Sequence, residues 1–158
     1  VSIGLFADLA RLDEQQLSSG LQTDAVFEVK YGMGISGVAT GGWRGRSFSL
    51  GIADSVTVFA ASASQADAAA TMIANAVNLA DPRIVREPAN ALKDDSDLGQ
   101  YLVTVDVPEL NQDEIYEALE AGLKKARTLQ QNGLICASVL SCQGWFASTE
   151  TARIQRIN

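Results

Sequence analysis

SVTVFAASASQADAAATMIANAV, residues 55–77, changes its apolar period partway along, and that change sets the fold class. Ser55–Ala60 is rich in β-branched and aromatic residues and reads as a buried strand. Beyond it, Ala66, Ala69, Ala70, Ile73, Ala74 and Val77 recur at helical spacing and form a packing face. Most of that face is alanine, so the helix lies close to whatever covers it. Ser62 with Gln65 fits a capping box, a hydroxyl at the N-cap with Gln three residues on. Ser64 with Asp67 fits the same pattern, which leaves the helix start open by two residues.

Outward from this pair, strands are expected at Val1–Phe6, Val26–Tyr31, Tyr101–Val107 and Leu134–Leu140, with Gly144–Ala147 continuing the last. A second helix is expected over Asn111–Asn132. Asn111 and Glu114 form its capping box, Leu110 and Ile115 a hydrophobic staple, and Gly133 a left-handed stop. Residues 7–23 and Asp81–Leu98 read as loop and surface excursion, and Tyr31, Tyr101 and Tyr116 as packing residues. The strands do not alternate regularly with helices. The expectation is an α+β (α/β) fold, a largely antiparallel sheet packed with two main helices, in a single domain over residues 1–158.

Composition narrows the chemistry. The 158 residues carry a formal charge of −7, which argues against nucleic acid and anionic membrane surfaces as partners. There is no histidine, which removes Ser-His-Asp and Cys-His catalysis and His-ligated zinc. Cys136 and Cys142 sit about 20 Å apart if their run is a strand, too far to pair without a bend, and read as free thiols. Reduced cysteines, with no signal peptide and no long apolar span in the sequence, fit a cytoplasmic protein.

Chemistry is therefore sought between Gly37 and Asn75. Gly41-Gly42-Trp43-Arg44-Gly45-Arg46-Ser47-Phe48-Ser49 combines flexible backbone amides, two guanidinium forks and two hydroxyls, a set suited to an anion, with Trp43 able to stack on a flat ring. A flexible hairpin with two solvated arginines is the plainer reading. Asp67, Thr71 and Asn75 follow at i, i+4 and i+8 on one helix face, where neighbours are about 5–6 Å apart. Asp67 and Thr71 can share one hard cation such as Mg²⁺. Equally, Asp67 can serve the helix N-terminus and Thr71 can bond back to a carbonyl. Asp54, at the entrance of the buried strand, is a candidate general base or a turn residue. A hydrolase using Ser47 or Ser49 ranks last, because no His and no Ser-x-x-Lys pattern stands nearby.

The run GVATGGWRGRSFSLGIADSVTVFAASASQADAAATMIANAV, residues 37–77, resembles an uncharacterised family related to ApbE, the FAD:protein FMN transferase. The likeness extends over nearly the whole chain, which looks like the C-terminal portion of longer family members. Ala39-Thr40-Gly41-Gly42 is similar to the Ala-Thr-Ser-Gly turn of the transferases, and Ala66–Thr71 to their Ala-Asp-Ala-Leu-Ala-Thr segment. In the transferases that Asp and Thr help hold Mg²⁺ against the FAD pyrophosphate, so the resemblance implies a metal role for Asp67 and Thr71. The His-Ile-Ile-Asp-Pro-type segment of the transferases is replaced here by Ser47-Phe48-Ser49-Leu50-Gly51. The expectation is a phosphate-bearing small-molecule ligand, FAD or FMN, held with Mg²⁺ by Thr40, Gly41, Gly42, Arg44, Arg46, Ser47, Ser49, Asp67 and Thr71, with Asp54 as the candidate base. The alternative is a non-enzymatic subunit acting through a homo-oligomer or through assembly with a missing N-terminal portion.

Overall fold

The computed structural model describes residues 1–5, 25–150 and 154–156; the loop expected at 7–23 lies outside the described residues. In chain order the elements are β1 (Ser2–Leu5), β2 (Ala25–Glu28), β3 (Gly37–Gly41), β4 (Ser55–Ala60), α1 (Ala63–Ala76), β5 (Val85–Pro88), α2 (Ala89–Leu92), β6 (Leu102–Asp106), α3 (Gln112–Gln131), β7 (Ala137–Cys142), β8 (Trp145–Ser148) and β9 (Gln155–Arg156). Five strands form one antiparallel sheet in the order β3-β4-β7-β8-β9, and β1–β2 and β5–β6 form separate two-stranded ribbons. The fold is α+β with antiparallel sheets, as the mixed periodicity predicts.

The alternation in β4 sets the layers. Val56, Val58 and Ala60 point into the main core, where α1 contributes Ala66, Ala69, Ala70, Ile73 and Ala74, and α3 contributes Ala118, Leu119, Leu123 and Ala126. Phe59 faces the opposite side and stacks on Phe27 of β2, ring centroids 4.0 Å apart. Two helices thus cover one face of the sheet, and the β1–β2 ribbon covers part of the other. Burial of this all-apolar helical seam is the main driving term, at about 25 cal/mol per Å² of apolar surface removed from water.

Each main helix begins at its side-chain cap. Ser62 Oγ accepts from Gln65 N, which settles the start of α1 at the earlier of the two candidates. Asn111 Oδ1 accepts from Glu114 N, and Glu114 returns the bond to Asn111 N. Gly133, at φ +69°, ends α3, with Leu134 N donating to Leu129 O.

Four expectations need correction. The strand expected at Leu134–Leu140 begins only at Ala137, because Gly133 and Leu134 still close the helix. Gly144–Ala147 does not continue it: Gln143 (φ +44°) and Gly144 (φ +81°) make a two-residue turn that reverses the chain, and Cys142 pairs with Trp145. A two-residue hairpin turn with both residues in left-handed conformation matches the natural twist of paired strands. Asp81–Leu98 is not all excursion: Val85–Pro88 pairs with β6, and Ile84 and Ala89 are buried. Tyr31 and Tyr101 are exposed rather than packed; Tyr116 alone packs, edge-on to Trp145.

Candidate functional site

The segment from Thr40 to Ser49 leaves the end of β3, crosses over α1 and returns through Gly51–Asp54 into β4. Where it faces α1 it encloses about 270 Å³. The loop wall is Thr40, Gly41, Gly42 and Gly45–Ser49; the helix wall is Asp67, Ala70, Thr71, Ala74 and Asn75. The hollow exists because the intervening helix residues are small: Ala70 and Ala74 lie between the polar ones, and a Cβ at Gly41 would already touch Ala70 at 3.6 Å. Two other hollows, beside Val29–Ser36 and along the outer face of α3, are open depressions without a comparable convergence of polar groups from two elements.

Eight of the ten candidate residues meet here: Thr40, Gly41, Gly42, Arg46, Ser47, Ser49, Asp67 and Thr71. Arg44 and Asp54 do not line the cavity. Arg44 Nε donates to Asp54 Oδ1 at 2.9 Å, and its guanidinium stacks over Trp43 at 4.9 Å. The second Asp54 oxygen accepts from Gln143 N at 2.5 Å, and Asp54 is 8% exposed. Asp54 thereby ties the loop to the β7–β8 turn. Trp43 supports Arg44 and is not presented to the cavity.

The cavity residues divide by what their polar atoms already do. The Thr40 hydroxyl is engaged by Thr57 on the sheet at 2.9 Å. Ser49 is buried and its Oγ donates to Asn75 Oδ1 at 3.1 Å. Gly45 N bonds back to Gly42 O, and Trp43 N to Ala53 O, so these two amides are turned inward rather than to an anion. Arg46 and Ser47 are exposed, and their side chains have no protein partner among the described residues. On the helix wall, Thr71 Oγ1 donates to Asp67 O at 3.2 Å, the back-bond open to any helical threonine. That bond uses the hydroxyl proton and leaves the oxygen lone pairs available, beside the exposed Asp67 carboxylate.

The loop is held by residues outside the candidate set. Asn75 Oδ1 accepts from Leu50 N as well as from Ser49 Oγ. Asn78 Nδ2 donates to Leu50 O, and Arg86 donates to Asn78 Oδ1. Thr104 N of β6 donates to Ser49 O. Asn75 carries a signal in its spacing from Asp67 and Thr71; Asn78, Arg86 and Thr104 carry none, because the contacts they make are set by the tertiary fold and not by local spacing.

The fit to a cation and a flavin can be judged from donors and size. Asp67 and Thr71 offer one carboxylate and one hydroxyl oxygen, and among the described residues no group of three or more His, Cys, Asp or Glu side chains converges. This is a hard, incomplete donor set, the kind that Mg²⁺ accepts when ligand phosphates and water fill the remaining positions. The enclosed volume lies just under the ~300–1,000 Å³ usual for a small-molecule pocket. It suits the phosphate end of a nucleotide, not the whole of a flavin.

The loop and the helix that line the cavity both fall within residues 37–77, the run whose sequence resembles the ApbE-related family. Residues 1–149 match the family described as "AbpE bacteria", and the chain belongs to that family. It is 41% identical over 102 residues to a UPF0280 protein of Methanothermobacter thermautotrophicus, covering 64% of this chain and 35% of that one. It is 40% identical over 96 residues to a UPF0280 protein of Methanopyrus kandleri, covering 60% and 35%. The match thus spans about a third of the length of these curated relatives. No solved structure matches the chain. Among the described residues no helix is long and apolar enough to cross a membrane.

Proposed function

We propose that this chain binds a phosphate-bearing small molecule, a flavin nucleotide such as FMN or FAD, together with a divalent cation, in the cavity between the Thr40–Ser49 loop and α1. One observation carries the reading. A cation and a hydroxyl without protein partners among the described residues, Arg46 and Ser47, face a carboxylate and a hydroxyl oxygen, Asp67 and Thr71, across a hollow the size of a phosphate-bearing group. In this reading Arg46 and Ser47 hold phosphate oxygens, and Asp67 and Thr71 hold Mg²⁺ on the opposite side. The cation, when bound, neutralises charge on the phosphate oxygens and, in a transferase, stabilises charge building on a diphosphate. Arg44 takes no part in contacting the ligand. It keeps the loop in place through Asp54.

Titration of the purified protein with FMN and with FAD, with and without Mg²⁺ and followed by flavin fluorescence, tests this. Saturable binding that weakens when Mg²⁺ is chelated is expected; no binding of either nucleotide under either condition contradicts it. A cytoplasmic location is part of the same proposal, since free nucleotide and reduced thiols coexist there.

A second reading, assembly with another copy or a protein partner, is motivated by exposed apolar side chains along one ribbon. Tyr101, Leu102 and Val85 at the β5–β6 ribbon are 65%, 51% and 44% exposed. Light scattering decides it: a dimer or larger species supports assembly, and a monomer at tens of micromolar opposes it.

A further inference from the structure

Asn75 lies one helical turn beyond Thr71 on the cavity wall and is half-buried. Its Oδ1 accepts two hydrogen bonds from the facing loop, from Ser49 Oγ at 3.1 Å and Leu50 N at 2.9 Å. A backbone N–H only donates, so the amide atom facing Leu50 has to be the oxygen. A flipped amide would set N–H against N–H. The orientation of this side chain is therefore fixed by chemistry, and Nδ2 is directed away from Leu50. Its two donor hydrogens have no protein partner among the described residues, and the residue borders the same hollow as Arg46 and Ser47.

We propose that Asn75 is a ligand-contacting, specificity-determining residue. Its Nδ2 donates to a phosphate oxygen of the bound molecule, while its Oδ1 holds the loop that carries Arg46 and Ser47. This rests on the reading of the cavity as a phosphate site and assigns the site a neutral donor on the helix wall, opposite the guanidinium. A neutral donor satisfies an oxygen acceptor without opposing a cation held one turn away by Asp67 and Thr71. The ligand class selected is a phosphate ester that presents one oxygen to the loop and another to the helix.

Asn75→Asp separates the two jobs of the side chain. One carboxylate oxygen still accepts from Ser49 and Leu50; the other replaces a donor by a negative charge facing the ligand. Asn75→Ala removes both functions. Wild type and both variants are titrated with FMN in Mg²⁺ and melted in the absence of ligand. Loss of one hydrogen bond to a charged group corresponds to about a tenfold or greater loss of affinity. The expected result is that N75D binds FMN at least about tenfold more weakly than wild type while keeping the melting temperature that N75A loses. Equal FMN affinity for wild type and N75D overturns the proposal, and so does a melting temperature for N75D as low as that of N75A, since the assigned orientation would then be wrong. Failure of wild type to bind FMN is a different outcome: it removes the phosphate reading of the cavity and overturns this assignment with it.

Discussion

At the scale of single residues, the sharpest division is between side chains that hold the loop and side chains left facing the cavity. Asp54 belongs to the first kind. It accepts from Arg44 on one side and from Gln143 N on the other, and both contacts lie outside the hollow. Asp54→Ala removes the acceptor of the part-buried Gln143 amide and the Asp54 bond of Arg44, at a cost of about 1–3 kcal/mol. Denaturant melts are expected to show that loss, and nucleotide binding in the folded fraction is expected to weaken as the loop loosens, without being abolished. An abolished activity with unchanged stability would restore Asp54 as a base. Cys142 responds to the same network. Burial, and then the charge of Asp54, push its thiol up to about 12, with Arg44 pulling the other way. The unfolded chain loses this proton at about 8.5. Between those values the folded state keeps a proton that the unfolded state has released. The stabilisation is complete below the unfolded value and declines as pH rises toward about 12. Melting temperatures measured from about pH 9 to 11, a window above the unfolded thiol's value and below the folded one, are expected to fall more steeply for wild type than for Cys142→Ala.

These residue roles were only partly legible in the sequence. Arg44 and Arg46 are chemically equivalent when read along the chain; that one pairs with Asp54 and the other faces the cavity depends on how the loop folds over α1. The Ser49 hydroxyl reads as a ligand donor and is instead turned into the wall by Asn75, a partner 26 positions away. Composition supplies the inventory of donors but not which are already satisfied.

At the scale of elements, α1 and the loop fit by close approach of backbone to backbone. A Cβ on Gly51 would lie 2.0 Å from Ala74 O and 2.7 Å from Val77 O, and neither backbone atom has a free route to retreat. Gly51→Ala is expected to cost at least about 1–3 kcal/mol through overpacking and to weaken nucleotide binding by lifting the loop off the helix. Gly122 makes the corresponding approach of α3 to the end of α1, where an added Cβ would meet Val77 Cγ2 at 2.2 Å. Gly122→Ala is expected to destabilise the fold similarly while leaving affinity per folded molecule unchanged, because its contacts lie away from the cavity. Thermal melts with parallel FMN titrations distinguish the two glycines. The elements were the most readable part of the sequence. Alanine and leucine periodicity with capping residues placed α1 and α3 to within a residue or two, and the β-branched run placed β4. The Gln143-Gly144 reversal was not legible because Gln is an unusual left-handed residue, adopted here where its amide N meets Asp54 and its side chain donates to Pro108 O.

At the scale of the whole molecule, the layer arrangement follows from the alternation in one strand, and the site follows from the layers. α1 sits on β3 and β4, the loop that joins those two strands must pass over it, and a cavity forms where the helix offers alanine. Long-range pairing could not be read from the chain. Val85–Pro88 contains a proline and two charges and resembles loop, yet it pairs with β6, whose Thr104 N in turn holds Ser49 O. Strand partners of this kind are chosen by tertiary contact rather than by local propensity.

Recognition of phosphate through Arg46 is the central claim. FMN and riboflavin share a flavin ring and differ in the phosphate, so their relative affinity in Mg²⁺, for wild type and for Arg46→Ala, tests it most directly. Wild type is predicted to bind FMN at least about tenfold more tightly than riboflavin, the value of one charge-assisted hydrogen bond, and Arg46→Ala to cut that preference by about tenfold without lowering the melting temperature. Equal affinity of wild type for FMN and riboflavin, or an Arg46→Ala variant that still prefers FMN to the same degree, would contradict it.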